Sequence, residues 1–328
     1  MSQKSPRVSI VIAARKDQST VPALTALKAF SNSSIHFEVL LVRGKQPSRQ
    51  RNLAVQSASA DILYFLDDDS APVEGNLERL VNAFSNPAVA VLGGPNLCQR
   101  DASFLQRVFS GIMGSWLAFG PSYARYRQVG ELRFSSEKEL ILCNMAIRTS
   151  DFVEAKGFDE SLYPNEENAL LDEFSKMGRQ ILYDPNLLIY RYPRETISEF
   201  IRMLYRYGRG RGEQVRLYPS KGSLLNFVPA LFVLFVLGCS LIGFLPESLR
   251  FFFWIPIVAY VLLSIRWGLG LSGTSGIAMG LCSIPFLPIA HISYGLGLWR
   301  GLILGPLASR EGKSDSEVKI EKVDLFSD

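Results

Sequence analysis

Residues 62–70, Ile-Leu-Tyr-Phe-Leu-Asp-Asp-Asp-Ser, constrain the fold of this chain more than any other stretch. Five apolar or aromatic residues in a row mark a strand buried on both faces, the pattern of a parallel sheet covered by helices. The run stops on three carboxylates, which therefore sit at the carboxyl edge of the sheet, where ligands bind in open α/β folds. Side chains alternate along an extended chain, so Asp67 and Asp69 point one way and Asp68 the other. Three carboxylates at that edge point to a hard divalent cation and the phosphates it carries. A solvated acidic turn closing a strand is the plain alternative.

The flanking sequence alternates strand and helix. Val8–Ala13 is a β-branched strand ending at Ala14-Arg15-Lys16-Asp17, and a helix is expected from Ser19 to Phe30. Phe37–Val42 forms a second strand, closed by Arg43-Gly44, and Ser48 is expected to cap a helix through Ser57 that carries Arg49, Arg51 and Asn52. A helix over Leu77–Phe84 and a fourth strand, Val89–Leu92, follow the acidic strand. This order implies right-handed crossovers and a mostly parallel, nucleotide-binding sheet. Neither GxGxxG nor a Walker lysine occurs, which argues against a dinucleotide fold or a P-loop. Residues 96–135 are irregular, as in a lid or acceptor-side insertion; Leu140–Arg148 is a further buried strand, and Gln180–Tyr183 and Leu187–Tyr190 are short final ones.

A second acidic centre opens a helix at Glu166-Glu167, where the helix dipole favours carboxylates. Metal-held diphosphate at the first centre and a general base at the second would transfer a group from an activated phosphate ester to a hydroxyl. A helix N-terminus that merely favours acids is the other explanation for Glu166-Glu167.

Taken in order, Val8–Ala14, Arg51-Asn52, Asp67-Asp68-Asp69, Gly157-Phe158-Asp159-Glu160 and Glu166-Glu167 resemble the motifs of the family 2 glycosyltransferases, over about residues 8–215. The resemblance implies a GT-A α/β domain with Asp67 and Asp69 holding Mg²⁺ or Mn²⁺. It implies that Ala13, Arg15, Asp17, Arg51, Asp67 and Asp68 contact the nucleotide of a nucleotide-sugar donor, and that Glu167, beside Glu166, is the base of an inverting displacement. Two positions depart from the family pattern: Arg43-Gly44 stands where an acidic pair normally ends the second strand, and Glu167 stands in place of an aspartate.

The second half differs in composition. Of the whole chain 48% is hydrophobic, and the excess lies beyond Leu224. Between Tyr190 and Lys221 there are eight Lys or Arg against three acids. Ile197, Phe200, Ile201, Leu204 and Tyr205 share one face of a helix whose other face carries Arg202, Arg206 and Arg209, the design of a basic helix lying in a membrane interface. Its end, Tyr207-Gly208-Arg209-Gly210-Arg211, resembles a segment of membrane-anchored family 2 enzymes that build bacterial exopolysaccharides. Arginine forks suit phosphate, so Arg206, Arg209 and Arg211 are candidates for a lipid diphosphate or the leaving nucleotide; a flank that only fixes topology is the alternative. No nucleic-acid module is present. Leu224–Leu245 is long enough to span a bilayer, Phe251–Ile265 is a second apolar stretch, and Ile277–Leu304 a third, interrupted by Pro285 and Pro288.

The expected organisation is a GT-A domain over 1–195, a juxtamembrane helix over 196–222, a membrane segment over 223–305 and a charged, disordered tail over 306–328. Met1–Pro6 leads into a strand rather than an apolar leader, so the catalytic domain is expected on the cytoplasmic face of a multi-pass plasma-membrane protein. The four cysteines lack paired spacing and predict neither disulfide nor zinc. The expected acceptor is a polyprenyl-linked sugar in envelope or exopolysaccharide synthesis. A polyprenyl-phosphate glycosyltransferase and a non-catalytic membrane scaffold are the alternatives.

Overall fold

The computed structural model describes residues 6–162, 164–219, 225–244, 246–305 and 318–325. The chain divides into two compact units: Met1–Gln99 with Ala124–Tyr192 and Ala308–Asp328, and Arg100–Tyr123 with Pro193–Leu307.

Among the described residues the first unit contains eleven strands: β1 (Val8–Arg15), β2 (Phe37–Gly44), β3 (Ile62–Asp67), β4 (Ala71–Pro72), β5 (Val89–Gly93), β6 (Asn96–Cys98), β7 (Arg133–Phe134), β8 (Asn144–Arg148), β9 (Gln180–Tyr183), β10 (Ile189–Arg191) and β11 (Lys319–Val323). The large sheet has the order β11-β2-β1-β3-β8-β5-β9-β7, and β4-β10-β6 form a small second sheet. β1 runs parallel to both β2 and β3, and β5 runs parallel to β9. The mixed α/β sheet is interrupted by β8, which is antiparallel to β3 on one side and to β5 on the other. Ile62–Leu66 are all buried, as a central strand covered on both faces requires, and each such side chain contributes about 1.5–3 kcal/mol over its exposed state. Register places Ala13 beside Val42 and Asp67, so β3 ends two residues short of β1 and β2, which finish level at Arg15 and Gly44.

Several expected boundaries move. The Ser19–Phe30 helix is a short α-helix, Pro22–Ala26, continued by a 3₁₀ turn, Leu27–Phe30. The next helix is Pro47–Ser57 with Gln46 at its N-cap, so Ser48 is a buried residue inside the first turn; proline, with no N–H to satisfy, suits the first helical position. β8 starts only at Asn144, because Leu140–Cys143 form a turn that closes with Asn144 N donating to the Ile141 carbonyl (3.1 Å). The last short strand is Ile189–Arg191 rather than Leu187–Tyr190.

The tail is also corrected. Lys319–Val323 is not a free charged segment but an edge strand, antiparallel to β2. Its Lys322 Nζ lies 2.6 Å from Glu38 Oε2, whose other oxygen accepts from Ser9 Oγ (2.6 Å), Ser59 N and Ser59 Oγ (both 2.7 Å). Burial alone pushes the Glu38 carboxyl up, but the Lys322 ammonium and these hydrogen bonds hold it down at about 2.

In the second unit the helix Ile197–Leu217 packs along Phe286–Leu304. Phe200 and Leu204 are buried, whereas Ile197 and Ile201 of the expected apolar face are exposed. Contact is made through glycines at four-residue spacing, Gly208 and Gly212 on one helix and Gly297 and Gly301 on the other. A Cβ at Gly208 would run into the Tyr294 carbonyl oxygen, and one at Gly301 into that of Arg209. Small residues at this spacing let two helix backbones approach closely. Phe109, on the helix Phe104–Met113, stacks on Phe200 at 4.1 Å between ring centroids.

The first apolar stretch is a helix of 12 residues, Val228–Cys239, about 18 Å long and too short to span the roughly 30 Å core of a bilayer, against expectation. Arg250–Gly273 and Ile277–Leu304, with 24 and 28 residues, have the length and apolar composition of membrane spans.

Candidate active site

The turn after β3 is closed by its own serine. Ser70 N donates to the Asp67 carbonyl and Asp67 N to Ser70 Oγ, both at 3.1 Å, and Ser70 Oγ donates to the Cys143 carbonyl. This sets the three aspartates in fixed directions. Asp67 and Asp69 both meet Arg191: Nη1 is 3.0 Å from Asp67 Oδ2, Nε is 2.7 Å from Asp69 Oδ1, and Nη2 donates to Asp69 Oδ2 at 3.1 Å. Asp68 bonds instead to Gln18; burial, with the charges of Asp69 and Asp67, raises its pKa.

The two acidic centres are joined by Arg51. Its Nη2 donates to Asp67 Oδ1 at 3.0 Å and its Nη1 to Glu166 Oε1 at 3.1 Å. Five residues thus alternate in sign, Glu166–Arg51–Asp67–Arg191–Asp69. Arg51 is buried within the helix Pro47–Ser57, and Glu166 opens the helix Glu166–Lys176. Burial and the neighbouring Glu167 push the Glu166 carboxyl up to about 7, against the pull of Arg51. Beside Arg51, Asn52 pins the Gly157-Phe158 turn: its Nδ2 donates to the Phe158 carbonyl and its Oδ1 accepts from Phe158 N, both at 2.9 Å. Gly157 has φ +73, and a Cβ there would lie 2.6 Å from Asn52 Oδ1, so glycine is required on both counts.

Glu167 is half-buried, and Asn168 Nδ2 donates to its Oε1 at 3.3 Å. Asn168 is itself fully buried and takes a 2.6 Å hydrogen bond from Arg125 Nη2 on its oxygen. Arg125 also donates to the backbone carbonyls of Glu137 and Lys138. Asn165, just before the helix, has φ +123, a conformation non-glycine residues adopt only when the surroundings impose it.

Of the other expected nucleotide contacts, Ala13 lies level with Asp67, while Arg15, the last residue of β1, and Asp17, in the loop after it, are exposed. Asp17, with Lys16, Gln18, Arg43, Lys319 and Glu321, lines a cavity of about 360 Å³. Arg43 Nε is 3.4 Å from Glu321 Oε1, so a carboxylate does stand near the end of β2, supplied by β11. In the second unit, Arg206 is exposed, Arg209 lies 3.4 Å from Glu213, and Arg211 is buried and donates to Gln214 Oε1 at 3.0 Å.

Sequence inspection overlooked Arg191, Asn144, Arg125 and Glu321. Arg191 carried a usable signal, since it ends an apolar strand just as Asp67 does. Asn144 did not: it is fully buried inside β8, where its Nδ2 donates to the Pro95 and Leu187 carbonyls and its Oδ1 accepts from Tyr64. The donor set does not suit a divalent ion. Both carboxylates expected to chelate it are engaged by arginine, and among the described residues no group of three or more His, Cys, Asp or Glu is placed to hold a metal. Cys143 is buried and its thiol pushed up to about 12, so it stays protonated.

The chain is similar to known proteins in family profile, in sequence and in structure. The profile of the family described as glycosyl transferase family 2 matches residues 3–144. The pre-mycofactocin glycosyltransferases of two Mycobacterium tuberculosis strains, CDC 1551/Oshkosh and ATCC 25618/H37Rv, are each 24% identical over 177 residues. The match covers 54% of this chain and 36% of each relative, so the chain spans little more than a third of their length. A crystal structure of S. aureus TarS aligns with 12% identity and a TM-score of 0.41, covering 86% of this chain and 55% of that one.

Proposed function

We propose, from the premise that this chain belongs to glycosyltransferase family 2, that it moves a sugar from a nucleotide-sugar donor to a lipid-linked acceptor with inversion at the anomeric carbon. The observation that carries this reading is the charge chain from Asp69 to Glu166, which ends beside Glu167. It links a cluster of acids and arginines at the sheet edge to a second carboxylate on an adjoining helix.

In this reading the acceptor oxygen attacks the anomeric carbon as the bond to the donor diphosphate breaks, and Glu167 takes the hydroxyl proton. Asn168, held by Arg125, orients that carboxylate. Glu166, neutral for part of the time near pH 7, keeps a second full charge away from the base. The positive charge that the leaving diphosphate requires comes from Arg51 and Arg191. Mg²⁺ or Mn²⁺ at Asp67 and Asp69 is the alternative supply, and diphosphate binding with and without chelator separates the two. The cavity beside Asp17 and Arg43 lies at the ends of β1 and β2 and has room for the base or ribose.

The lipid acceptor rests on the second unit. At about 1.5 Å per residue its 24-residue apolar segment reaches about 36 Å; the other is broken into the helices Ile277–Ser283 and Phe286–Leu304, the longer of which reaches about 28 Å. Phe251, Phe252, Trp254, Ile255, Val258 and Leu262 are exposed along the first, an apolar surface suited to lipid. We therefore place the chain in the plasma membrane with its catalytic unit on the cytoplasmic side, acting in envelope or exopolysaccharide assembly.

The test is transfer by detergent-purified protein and its Glu167→Gln variant, measured beside nucleoside diphosphate binding. Loss of turnover by 10²-fold or more with binding retained is expected for a hydroxyl acceptor. Retained turnover with a polyprenyl-phosphate acceptor would favour transfer to a phosphate, which needs no strong base. Absence of both binding and turnover would favour a non-catalytic scaffold.

A further inference from the structure

We propose that Arg191 is the resident cation of the Asp67–Asp69 site, standing where a divalent metal would otherwise be held, and that the donor diphosphate is bound by arginine without metal. The identity of that ligand rests on the transferase reading; the assignment of Arg191 does not.

The guanidinium is built into the fold. Arg191 is the last residue of β10, where it pairs with Cys98 of β6, and its carbonyl accepts from Gln99 N at 3.1 Å. Its side chain is 19% exposed and reaches back to both carboxylates through all three nitrogens, at 2.7–3.1 Å. The guanidinium is ion-paired to two carboxylates at once and hydrogen-bonds one of them, Nη2 to Asp69 Oδ2, whereas a surface ion pair makes a single contact.

Charge leads to the same conclusion. Asp67 and Asp69 carry two negative charges, and Arg191 and Arg51 two positive ones, each at hydrogen-bonding distance. A divalent ion seated between the aspartates would lie beside two fixed cations, with only two protein carboxylates to replace its water. Such ions take six or more oxygen ligands and usually need phosphate or further acids to complete the set. An arriving diphosphate carries that negative charge itself. It can satisfy the exposed side of the arginine cluster directly, with the aspartates keeping the forks aimed at it.

The experiment uses full-length protein in detergent. A panel of nucleoside diphosphates is titrated in excess EDTA and in Mn²⁺, and Mn²⁺ alone is titrated by electron paramagnetic resonance. In the wild type, affinity for the bound nucleotide is expected to differ by less than threefold between EDTA and Mn²⁺. Arg191→Gln is expected to lose tenfold or more in EDTA and to recover in Mn²⁺, because the freed carboxylates then form a metal site; Arg191→Lys keeps the metal-free binding. Wild-type affinity that falls tenfold in EDTA, or an Arg191→Gln variant that binds like wild type in EDTA, overturns the proposal.

If no diphosphate binds, the donor assignment falls while the metal titration still decides Arg191. A Mn²⁺ site that appears in Arg191→Gln and vanishes on adding Asp69→Asn supports it. A stoichiometric wild-type Mn²⁺ site lost in Asp69→Asn refutes it. Thermal unfolding checks that the variants fold, and should Arg191→Gln fail that check, the wild-type and Arg191→Lys titrations decide.

Discussion

Replacing Glu166 by glutamine isolates the cost of burying a carboxyl between the two acidic centres. Its pKa is raised from an ordinary 4.5 to about 7, first by burial and then by Glu167. A carboxyl raised in this way destabilises the folded state when ionised: the penalty is absent well below 4.5, grows between 4.5 and about 7, and is complete above. At about 1.4 kcal/mol per pH unit it amounts to about 3 kcal/mol at pH 8 and about half that at pH 5.5. Glutamine removes the charge but offers one acceptor where the carboxylate uses two, Oε1 to Arg51 and Oε2 to Asn165 N. That lost hydrogen bond costs about 1–1.5 kcal/mol at any pH. Glu166→Gln is therefore expected to be more stable than wild type by about 1–2 kcal/mol at pH 8, and to match it near pH 5.5. For a unit of this size each kcal/mol moves Tm by about 2–4 °C. Thermal unfolding of both proteins in detergent across pH 5.5–8 reads the difference, and titrations common to both cancel. A variant less stable than wild type at pH 8, or a stability difference that does not change with pH, would refute the assignment of a penalised, ionising Glu166.

Two further expectations concern the rest of the chain. Gly301→Ala forces a Cβ onto the Arg209 carbonyl and should separate the paired helices, destabilising the second unit by about 2 kcal/mol or more, whereas Gly270→Ala, with open space around it, should be neutral or better; thermal unfolding of the two side by side checks this. Lys322→Ala removes the ammonium that holds Glu38 near 2 while burial stays, so the Glu38 pKa should rise. Stability from its lowered pKa is present above pH 4.5 and lost as pH falls through about 2, so acid unfolding of the variant should begin at higher pH than in wild type.

Much of the first unit was legible because its signals are local. A five-residue apolar run, too short for a typical helix and stopped abruptly by acids, fits a strand covered on both faces. An acid at its end then lies at the sheet edge, so β3 and the aspartates followed from composition and length. The parallel pairing of the first three strands followed from chain connectivity, since parallel neighbours need crossovers. Long apolar segments were equally plain, although Val228–Cys239 is shorter than its composition promised.

What stayed hidden depends on pairs distant in sequence. Nothing near Asn144 announces that its strand inserts antiparallel between β3 and β5, because both neighbours bury it and a buried strand reads alike in either direction. The glycines of Tyr207-Gly208-Arg209-Gly210-Arg211 looked like part of a phosphate-binding run; two of the four glycines at the helix contact come from residues about 90 positions later, and only the packed pair shows that they serve close approach. The aspartates read as metal ligands because carboxylates at a sheet edge attract cations. No local signal showed that β10 folds back through the small sheet, 122 residues along the chain from Asp69, and sets Arg191 against both. Local pattern specifies the element and the sign of its charge. The partner is chosen by topology, because electrostatic and packing energies depend on distance in space and a one-dimensional pattern carries none.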